Sequence, residues 1–242
     1  MESILVVDWP APKNVKASVT TRLGGVSEGV YEGFNLGAHV QDLPQSVSQN
    51  RTLLKEWLAL DDDIQWLNQV HSAEVAVLPN PADITVDAAY TNQPNTVCAV
   101  LTADCLPVVF ASLAGDEVAV AHAGWRGLCE GVLEATLAKF QTPENVVAYL
   151  GPAIGPNAFE VGGEVREAFI EKDSNAVSAF MPGSQAGKWL GDLYELARQR
   201  LAHAGCYKVY GGDHCTYTDQ TRFFSYRRDG VTGRMATLVW FE

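Results

Sequence analysis

The strongest pattern in the chain is the segment VCAVLTADCLPVVFASLAGDEVAVAHAGWRG, residues 97–127 of 242. Its apolar runs near 97–103, 107–112 and 117–123 predict three β-strands, because short buried strands read as continuous runs of apolar residues. The turn-like sequence LAGDE between the last two runs predicts that they form a hairpin. The predicted fold is organised around this hairpin and the residues at its open end.

The register of the hairpin predicts which side chains meet. If the turn centres on the Ala-Gly pair of LAGDE, the numbers of facing residues sum to about 229, and His122 faces Pro107. Cys105 lies one side-chain period beyond Pro107, within reach of an atom that His122 also touches. A one-residue slip would turn one of the two side chains away. An inert buried cysteine beside a core histidine remains the alternative at this point.

Composition limits the class of protein. A net charge of -12 argues against nucleic acid as a partner, because binding to its backbone depends on lysine and arginine. A small anion needs only a few local donors. No apolar run approaches the ~20 residues that span a bilayer, and the start MESILVVDWP lacks the basic region of a signal peptide. We therefore expect a cytoplasmic protein with no membrane partner. At 242 residues the chain could form one α/β domain or two small ones.

The cysteines argue against a disulfide-stabilised protein. They number five, an odd set, and none shows CxxC spacing. A disulfide framework and a structural four-cysteine zinc site are both disfavoured by this pattern. A functional cysteine must therefore be recognised from its neighbours.

The remaining apolar patterns predict a mixture of helices and strands. Strand pairs without regular βαβ alternation favour a mixed α/β sandwich over a Rossmann fold. Helices are predicted at 46–60, 127–140 and 187–204. Further strands are predicted at 4–7, 15–21, 64–70, 74–78, 146–150, 207–210, 222–227 and 234–241.

His71 is the residue that can join Cys105 and His122. It follows a predicted strand and the amide side chains of Asn68 and Gln69, which can orient it. Two histidines and one cysteine bind zinc with one position left open, as in catalytic zinc sites, and the same set suits trigonal copper. Alternatively, Cys105 and His122 form a thiolate–imidazolium nucleophile pair that His71 assists.

Arginines beside tight turns are candidate anion-binding residues. Arg22 stands at a strand end before a Gly-Gly turn, where the backbone can approach a ligand closely. Arg126 lies in HAGWRG, where a predicted helix start offers backbone N–H groups. Arg227 and Arg228 are further candidates. For Arg22, spacing alone favours a side chain exposed to solvent. Arg227 and Arg228 are equally compatible with exposed charges on a strand.

Two polar residues complete the candidate site. Asp104, beside Cys105, is a candidate proton shuttle, and the alternative is a carboxylate that only stabilises a turn. Asn35, in the loop sequence FNLG, is a candidate substrate-binding residue. The other histidines are assigned polar surface roles: His39, His203 and His214.

The chain contains, in order, the motifs TTRLGGVS, FNLGAHV, NQVHSAEV, DAAYT, LTADCLPVVF, AHAGWRGL, GPAIGP and SYRRDGVTGRMATLVW. Together they resemble the YfiH-type laccase-domain family, described as multicopper polyphenol oxidase-like and as purine nucleoside enzymes. The resemblance implies a single domain over residues 1–242, folded as an α/β/β/α sandwich related to cysteine-hydrolase-like toxins. It also implies a zinc site on His71, Cys105 and His122. One departure is Gln41-Asp42, where we expect Gly-Asp in relatives, in a peripheral loop.

The resemblance also implies an activity. Members phosphorolyse adenosine, inosine and 5′-methylthioadenosine and deaminate adenosine, so purine nucleosides and phosphate are the expected partners. Zinc is the expected metal with copper as the alternative, and the protein is expected as a monomer or homodimer.

Other functions are weighed against this one. A true multicopper laccase is excluded, because five histidines cannot supply a blue-copper site and a trinuclear cluster. A polyphenol oxidase with one copper and a cysteine-dependent amidase acting on cell-wall precursors remain as alternatives. A non-enzymatic metal-binding or interaction protein ranks last, since a closed structural zinc site wants a fourth protein ligand.

Overall fold

The computed structural model describes residues 3–242. The strands are β1 (Ile4–Val6), β2 (Val15–Thr20), β3 (Val75–Leu78), β4 (Ala88–Thr91), β5 (Cys98–Thr102), β6 (Leu106–Ser112), β7 (Val118–Ala123), β8 (Val146–Leu150), β9 (Glu160–Gly162), β10 (Phe180–Pro182), β11 (Lys188–Gly191), β12 (Lys208–Gly211) and β13 (Met235–Phe241). The helices are α1 (Pro44–Leu58), α2 (Trp125–Glu130), α3 (Val132–Leu137), α4 (Gly163–Lys172), α5 (Leu193–His203) and α6 (Tyr226–Asp229). Across this described range, none of the helices has both the length and the apolar character that a membrane crossing requires.

Two β-sheets pack face to face in the centre of the protein. One has four antiparallel strands in the order β1-β2-β13-β5, and the other has six in the order β12-β8-β6-β7-β4-β3. The six-stranded sheet is mixed, because β12 pairs with β8 and β3 pairs with β4 in parallel. A third, separate antiparallel sheet is small and has three strands in the order β10-β11-β9. The chain is therefore mixed α/β, as predicted, while kinship with cysteine-hydrolase-like toxins stays a prediction.

Alternating side chains divide the apolar core into layers. Along β6, Val109 and Ala111 face the four-stranded sheet, where they pack in one cluster with Val100. Val108 and Phe110 point the other way and pack with the side chains of α2, α3 and α5. The outer face of the four-stranded sheet packs against α1. A fully buried valine or phenylalanine side chain contributes about 1.5–3 kcal/mol, so burial on both sides fixes which face of the strand each residue occupies.

The central hairpin has the predicted register. Pro107 faces His122 in the ladder between β6 and β7. The preceding strand, β5, belongs to the other sheet, so the chain crosses between sheets at residues 103–105. Asp104, in this crossing, has φ +91°. The sharp turn at Asp104 delivers Cys105 to the start of β6.

Two predicted helices have the wrong bounds. The helix predicted at 127–140 is broken into α2 and α3, because Gly131 adopts φ +103° between them. The helix predicted at 187–204 begins only at α5. Its cap is Asp192, whose carboxylate accepts hydrogen bonds from the N–H groups of Tyr194 and Glu195. The residues before this cap form β11 instead.

The strand predicted at 222–227 is wrong, because local side chains take the backbone donors. Asp219 accepts hydrogen bonds from the backbone N–H and the guanidinium Nε of Arg222, at 3.0 and 2.6 Å. Ser225 accepts one from the N–H of Arg228 and caps the short α6. Such bonds compete with a sheet ladder for the same backbone groups.

The strand predicted at 64–70 is also wrong. In this segment a side chain, rather than the backbone, forms the hydrogen bonds with β5. The Gln69 amide donates to the carbonyl of Leu101 at 2.8 Å and accepts from its N–H at 2.7 Å. Gln69 thereby tethers the segment that leads into His71.

Candidate metal centre

Four positions converge at one end of the six-stranded sheet. Cys105 directly precedes β6, His122 lies near the end of β7, Asp87 directly precedes β4, and His71 lies in the loop before β3. Both β6 and β4 run antiparallel to β7, and β3 runs parallel to β4. The four positions therefore meet at the same end of the sheet.

Three of these side chains form a compact group of possible metal ligands. One ligand atom from each of His71, Cys105 and His122 lies within 4.8 Å of the others. The two imidazole rings are edge-to-face, with centroids 4.8 Å apart. His122 is 4 % exposed, whereas Cys105 is partly exposed and His71 is exposed, so the group is open on one side. Within residues 3–242, no other His, Cys, Asp and Glu side chains form such a group.

Gly124 provides the space that this arrangement requires. A Cβ atom at Gly124 would overlap with Nδ1 of His71 and would lie 2.8 Å from Cε1 of the same ring. It would also lie 3.2 Å from Sγ of Cys105. Its φ is -61°, which any residue adopts, so the requirement concerns space and not backbone conformation. Only glycine lets the backbone approach the ligand group this closely.

Asp87 anchors two of the three ligands from behind. Its carboxylate is 0 % exposed, and Oδ1 lies 2.7 Å from Nδ1 of His122. The backbone N–H groups of Val70, His71 and Ser72 donate to this carboxylate at 3.1, 3.0 and 2.6 Å. His71 has φ +64°, a left-handed conformation that lets successive N–H groups point at one anion. Asp87 therefore holds the His71 loop and the His122 ring together.

The bond to Asp87 also decides which nitrogen of His122 is available. Since Nδ1 faces the carboxylate, Nε2 is directed toward Cys105. Metal-binding histidines in proteins commonly donate their other N–H to a carboxylate, which fixes the ring and raises its basicity. The Asp87–His122 pair has this geometry.

Charges within the group change its pKa values. Burial lowers the pKa of His122, but the Cys105 thiolate and the Asp87 carboxylate outweigh burial and raise it to about 9. Burial raises the pKa of Asp87, but hydrogen bonds from His122 and Ser72 outweigh it and lower the pKa to about 2. Burial, followed by the neighbouring His122, lowers the pKa of His71. A metal ion bound to His122 would displace the proton that this raised pKa holds on the ring.

The donor set fits one metal ion. Two imidazoles and one thiolate supply three ligands, and no fourth protein ligand from the described residues joins the group. Three protein ligands with one free position are typical of catalytic zinc sites. A cluster of several copper ions would need many more histidines than this end of the sheet contains.

Asp104 adjoins Cys105, but both of its carboxylate oxygens are engaged. Oδ1 accepts a hydrogen bond from the hydroxyl of Thr216, and Oδ2 accepts one from the N–H of Arg227, each at 2.6 Å. The Asp104 carbonyl accepts a bond from the N–H of Ile154 at 2.9 Å. These bonds favour the turn-stabilising alternative, and the role of proton shuttle stays a prediction.

Asn35 is fully buried and holds a loop. Its Nδ2 donates to Oδ2 of Asp42 at 2.9 Å. Its Oδ1 accepts bonds from the N–H groups of Gly37 and Arg234, both at 2.9 Å. Each polar atom of the side chain has a protein partner, so direct contact with a substrate stays a prediction.

Arg22 lines a cavity of about 670 Å³ beside the Gly-Gly turn. Its guanidinium donates weakly to the carbonyls of Gln220 and Glu32, at 3.3 and 3.5 Å, and lies 4.8 Å from the ring centroid of Phe224. Glu28 and Glu32 also line the cavity. Two nearby carboxylates weaken the case for an anion there, and binding by Arg22 stays a prediction.

Arg126 interacts electrostatically with one member of the ligand group, His71. It is exposed on the first turn of α2, with its guanidinium 4.3 Å from the ring centroid of Trp125. Its positive charge contributes, after burial and His122, to the lowered pKa of His71. The two further candidates, Arg227 and Arg228, instead donate to backbone carbonyls.

The sequence analysis missed the roles of Asp87 and Gly124. The available signal for Asp87 was its place as the first residue of the motif DAAYT, directly before the residues that form the buried strand β4. The signal for Gly124 was its place two residues after His122, in HAGW. Both residues matter only through contacts with loops that are distant in sequence.

Replacing Asp87 with asparagine is expected to weaken both the fold and the site. The new amide group cannot accept all the N–H bonds that the carboxylate accepts, and it leaves the His71 loop without its anchor. We expect a loss of about 2–4 kcal/mol in unfolding free energy. We also expect metal affinity to fall roughly 10–100-fold. Urea unfolding and zinc titration measure the two effects.

The matched control is Asp83→Asn, since Asp83 lies in an exposed turn and its carboxylate bonds to the neighbouring Thr85 and Ile84. Zinc affinity and unfolding midpoint are expected to stay at wild-type values in this control. Equal behaviour of the two variants would contradict the anchoring role of Asp87.

Proteins from several bacteria are similar to this chain over its whole length. It is 54 % identical over 243 residues to purine nucleoside phosphorylase YfiH of Escherichia coli (strain K12), with 99 % of each chain covered. It is 48 % identical over 243 residues to a Pseudomonas aeruginosa protein named purine nucleoside phosphorylase, with 100 % of each covered. A family model described as multi-copper polyphenol oxidoreductase laccase matches residues 16–242.

The fold is also similar to solved structures. A crystal structure of a Neisseria meningitidis protein matches with a TM-score of 0.93 and 49 % identity, covering 100 % of both chains. The hypothetical protein YfiH of Bacillus licheniformis matches with a TM-score of 0.91 and 30 % identity, covering 99 % of this chain and 97 % of that one. Full-length similarity in sequence and fold therefore confirms what the motifs predicted: the chain belongs to the YfiH-type family of laccase-like domains, described as multi-copper polyphenol oxidoreductase laccase.

Proposed function

We propose that this protein is a zinc-dependent purine nucleoside phosphorylase acting on adenosine, inosine and 5′-methylthioadenosine, with adenosine deaminase activity at the same site. The observation that carries the proposal is the open group of His71, Cys105 and His122, backed by Asp87. The names of relatives at 48–54 % identity support phosphorolysis as the reaction class.

Zinc is proposed over copper because of the donor set. His71, Cys105 and His122 offer three ligands with one open position, the arrangement that zinc adopts in hydrolytic and transfer enzymes. When bound, the metal would supply Lewis-acid activation of water or of a substrate oxygen. A single copper ion on the same ligands would support the laccase-like alternative.

Phosphorolysis asks the protein to orient two substrates. A phosphate oxygen forms a bond to C1′ of the ribose while the C1′–N9 bond breaks, and the electron pair leaves with the purine, which takes a proton from solvent. Arg126, exposed beside the ligand group, is proposed to attract phosphate. In deamination, water adds at C6 of adenosine and ammonia leaves, giving inosine. Asp104 remains the proposed proton carrier for that step, although its carboxylate is engaged.

Further parts of the proposal concern the protein in the cell. We propose that residues 1–242 act as one domain in the cytoplasm, as a monomer or homodimer. Purine nucleosides and phosphate are the proposed partners. The net charge of -12 supports the exclusion of nucleic acid.

Metal removal and phosphate dependence test the proposed reaction. Purified protein is treated with a chelator, reloaded with zinc or copper, and given adenosine with and without phosphate. We expect chelation to abolish turnover and zinc to restore it. Chromatography should then detect adenine and ribose 1-phosphate only when phosphate is present, and inosine in both cases.

The same assay separates the alternatives. A cysteine-dependent amidase would keep its activity after chelation, since the Cys105 thiolate would then be the nucleophile. A copper oxidase would oxidise phenols after copper loading and leave adenosine unchanged. Either result in place of adenine release would contradict the proposed function.

A further inference from the structure

Arg234 is held against the loop that contains Asn35. Its backbone N–H donates to Oδ1 of Asn35 at 2.9 Å, and its carbonyl accepts a bond from the N–H of Leu36 at 3.1 Å. The two bonded segments are 199 residues apart in sequence. Arg234 directly precedes β13, so one side of this clamp belongs to the rigid sheet. The clamp fixes the point from which the Arg234 side chain starts.

Gly37 clears the path of that side chain. A Cβ atom at Gly37 would lie 2.8 Å from Cγ and 3.1 Å from Cβ of Arg234. These contacts are too short for carbon atoms, so any other residue at this position would displace the arginine stem. Asn35 and Gly37, both in the FNLG motif, thus act together as positioning residues for Arg234.

The guanidinium of Arg234 has unused donors. Nη1 donates to the carbonyls of Thr232 and Gly233, at 2.9 and 3.0 Å. In the described part of the chain, Nε and Nη2 have no hydrogen-bond partner. A guanidinium offers five N–H donors in a planar fork, and a fork with free donors suits an oxyanion. One side of the group is therefore fixed by the protein and the other is available to a ligand.

The guanidinium is electrostatically coupled to the ligand group. The residue after Arg234, Met235, pairs with Thr102 at the end of β5. Arg234 therefore lies at the same end of this sheet as the turn of residues 103–105. Burial lowers the pKa of Arg234, whereas the negative charges of Cys105 and Asp104 raise it. Burial lowers the pKa of His39, and the positive charges of Arg234 and Arg51 lower it further. Arg51 therefore adds positive charge to the same region. Within residues 3–242, the hydrogen bonds that Arg234 donates go to Asn35 and to backbone carbonyls, and none goes to a carboxylate.

The charge balance favours an anion between Arg234 and the ligand group. With both histidines neutral and Cys105 ionised, the three ligands carry one negative charge, less than a divalent metal ion brings. Asp87 and Asp104 add two more negative charges, which makes three. A divalent metal ion, Arg234 and Arg126 together supply four positive charges, so one positive charge is left over at this end of the sheet. Oxyanions bind arginine through short, charge-assisted bonds that are about twice as strong as neutral ones.

We propose that Arg234 binds the phosphate co-substrate through its free guanidinium donors, beside the ligand group of His71, Cys105 and His122. The inference rests on the proposed function for the identity of the anion, and it adds a residue that sequence analysis did not consider. Asn35 then contributes to phosphate binding indirectly, by positioning Arg234 rather than by touching the substrate.

Calorimetric titration of inorganic phosphate into the zinc-loaded protein tests this without turnover. We expect Arg234→Ala to weaken phosphate binding by about 10–100-fold, the equivalent of one or two charge-assisted hydrogen bonds. Arg234→Lys keeps the charge and the stem but loses the fork, so we expect about 10-fold weaker binding with the fold retained. In the kinetic assay, the KM for phosphate should rise in both variants while the KM for nucleoside stays unchanged.

Arg198→Lys is the matched control. Arg198 also donates to two backbone carbonyls, those of Val209 and Gly211, but it lies on α5 and bonds to β12. The Arg198→Lys variant measures the loss of stability when an internal arginine is replaced. Its phosphate affinity should equal that of wild type. Zinc content, measured by atomic absorption, should be the same in all variants.

The outcomes separate this inference from the proposed function. Phosphate binding that depends on Arg234 in a protein that never releases adenine would contradict the proposed reaction and support the anion site. Phosphorolysis with an unchanged KM for phosphate in both Arg234 variants would overturn the inference and leave the reaction standing. An Arg234→Lys protein that lost zinc and phosphate binding to the same extent would also overturn the inference. The arginine would then only balance the negative charge of the Cys105 thiolate.

Discussion

Cys105→Ala is expected to lose stoichiometric zinc and to reduce adenine release from adenosine to the rate without enzyme. Cys105 supplies the single anionic donor of the group, and its Sγ lies with the two imidazoles inside a span of 4.8 Å. Changing a residue that only supports a ligand already costs 10–100-fold in metal affinity, so removing the thiolate itself should cost more than about 100-fold. Zinc analysis after dialysis and a product assay measure the two losses.

Cys215→Ala is the control for this experiment. Like Cys105, Cys215 is a partly exposed free cysteine, but it lies outside the ligand group and its Sγ accepts a bond from the N–H of Gly155. We expect the control to keep both zinc and activity. If Cys105→Ala retained one zinc per chain and full adenine release, the site would be wrongly assigned. If it lost activity but kept zinc, Cys105 would act as a nucleophile instead.

Gly124→Ala is expected to disable the site while leaving the fold intact. The added methyl group would overlap the His71 ring and crowd Sγ of Cys105 at 3.2 Å. The bond from its backbone N–H to Asp87 holds the His71 backbone in place, so the ring avoids the methyl group only by rotating away from the ligand group. We expect zinc affinity to fall by at least about 10-fold, as for displaced supporting residues. Zinc titration with a competing chelator measures the change.

Gly163→Ala is the matched control. Gly163 begins α4, and the nearest atom to an added Cβ there is the carbonyl of Gly187 at 3.8 Å, an ordinary contact. Alanine at a helix start should be neutral or slightly stabilising. A Gly124→Ala protein that bound zinc like this control would mean that the ring of His71 is not confined by the backbone of Gly124.

The sequence predicted the hairpin and the ligand group well, for a local reason. The register of β6 and β7 follows from alternating apolar residues and a short turn, so Pro107 opposite His122 could be worked out before the structure. The position of Cys105 near His122 follows from the same arithmetic. The addition of His71 was less secure, because its place depends on β3 and β4 joining the same sheet.

Element bounds failed where side chains compete with backbone bonds. Apolar periodicity continued through 187–204, yet Asp192 caps a helix inside that range and β11 precedes it. The apolar pattern at 127–140 likewise hid the break at Gly131. In both cases one residue with a special backbone or capping role outweighs the propensities of the residues around it.

The sequence by itself determined the family, the mixed α/β class and the identity of three possible metal ligands, because each rests on local periodicity or on ordered motifs. The tertiary structure alone decided which residues support them. Asp87 reaches His122 across 35 residues, and Asn35 reaches Arg234 across 199. Such pairings depend on strand order and loop crossings, which periodicity does not encode. The buried carboxylate of Asp87, the missing side chain of Gly124 and the free donors of Arg234 therefore have a meaning only in the folded chain.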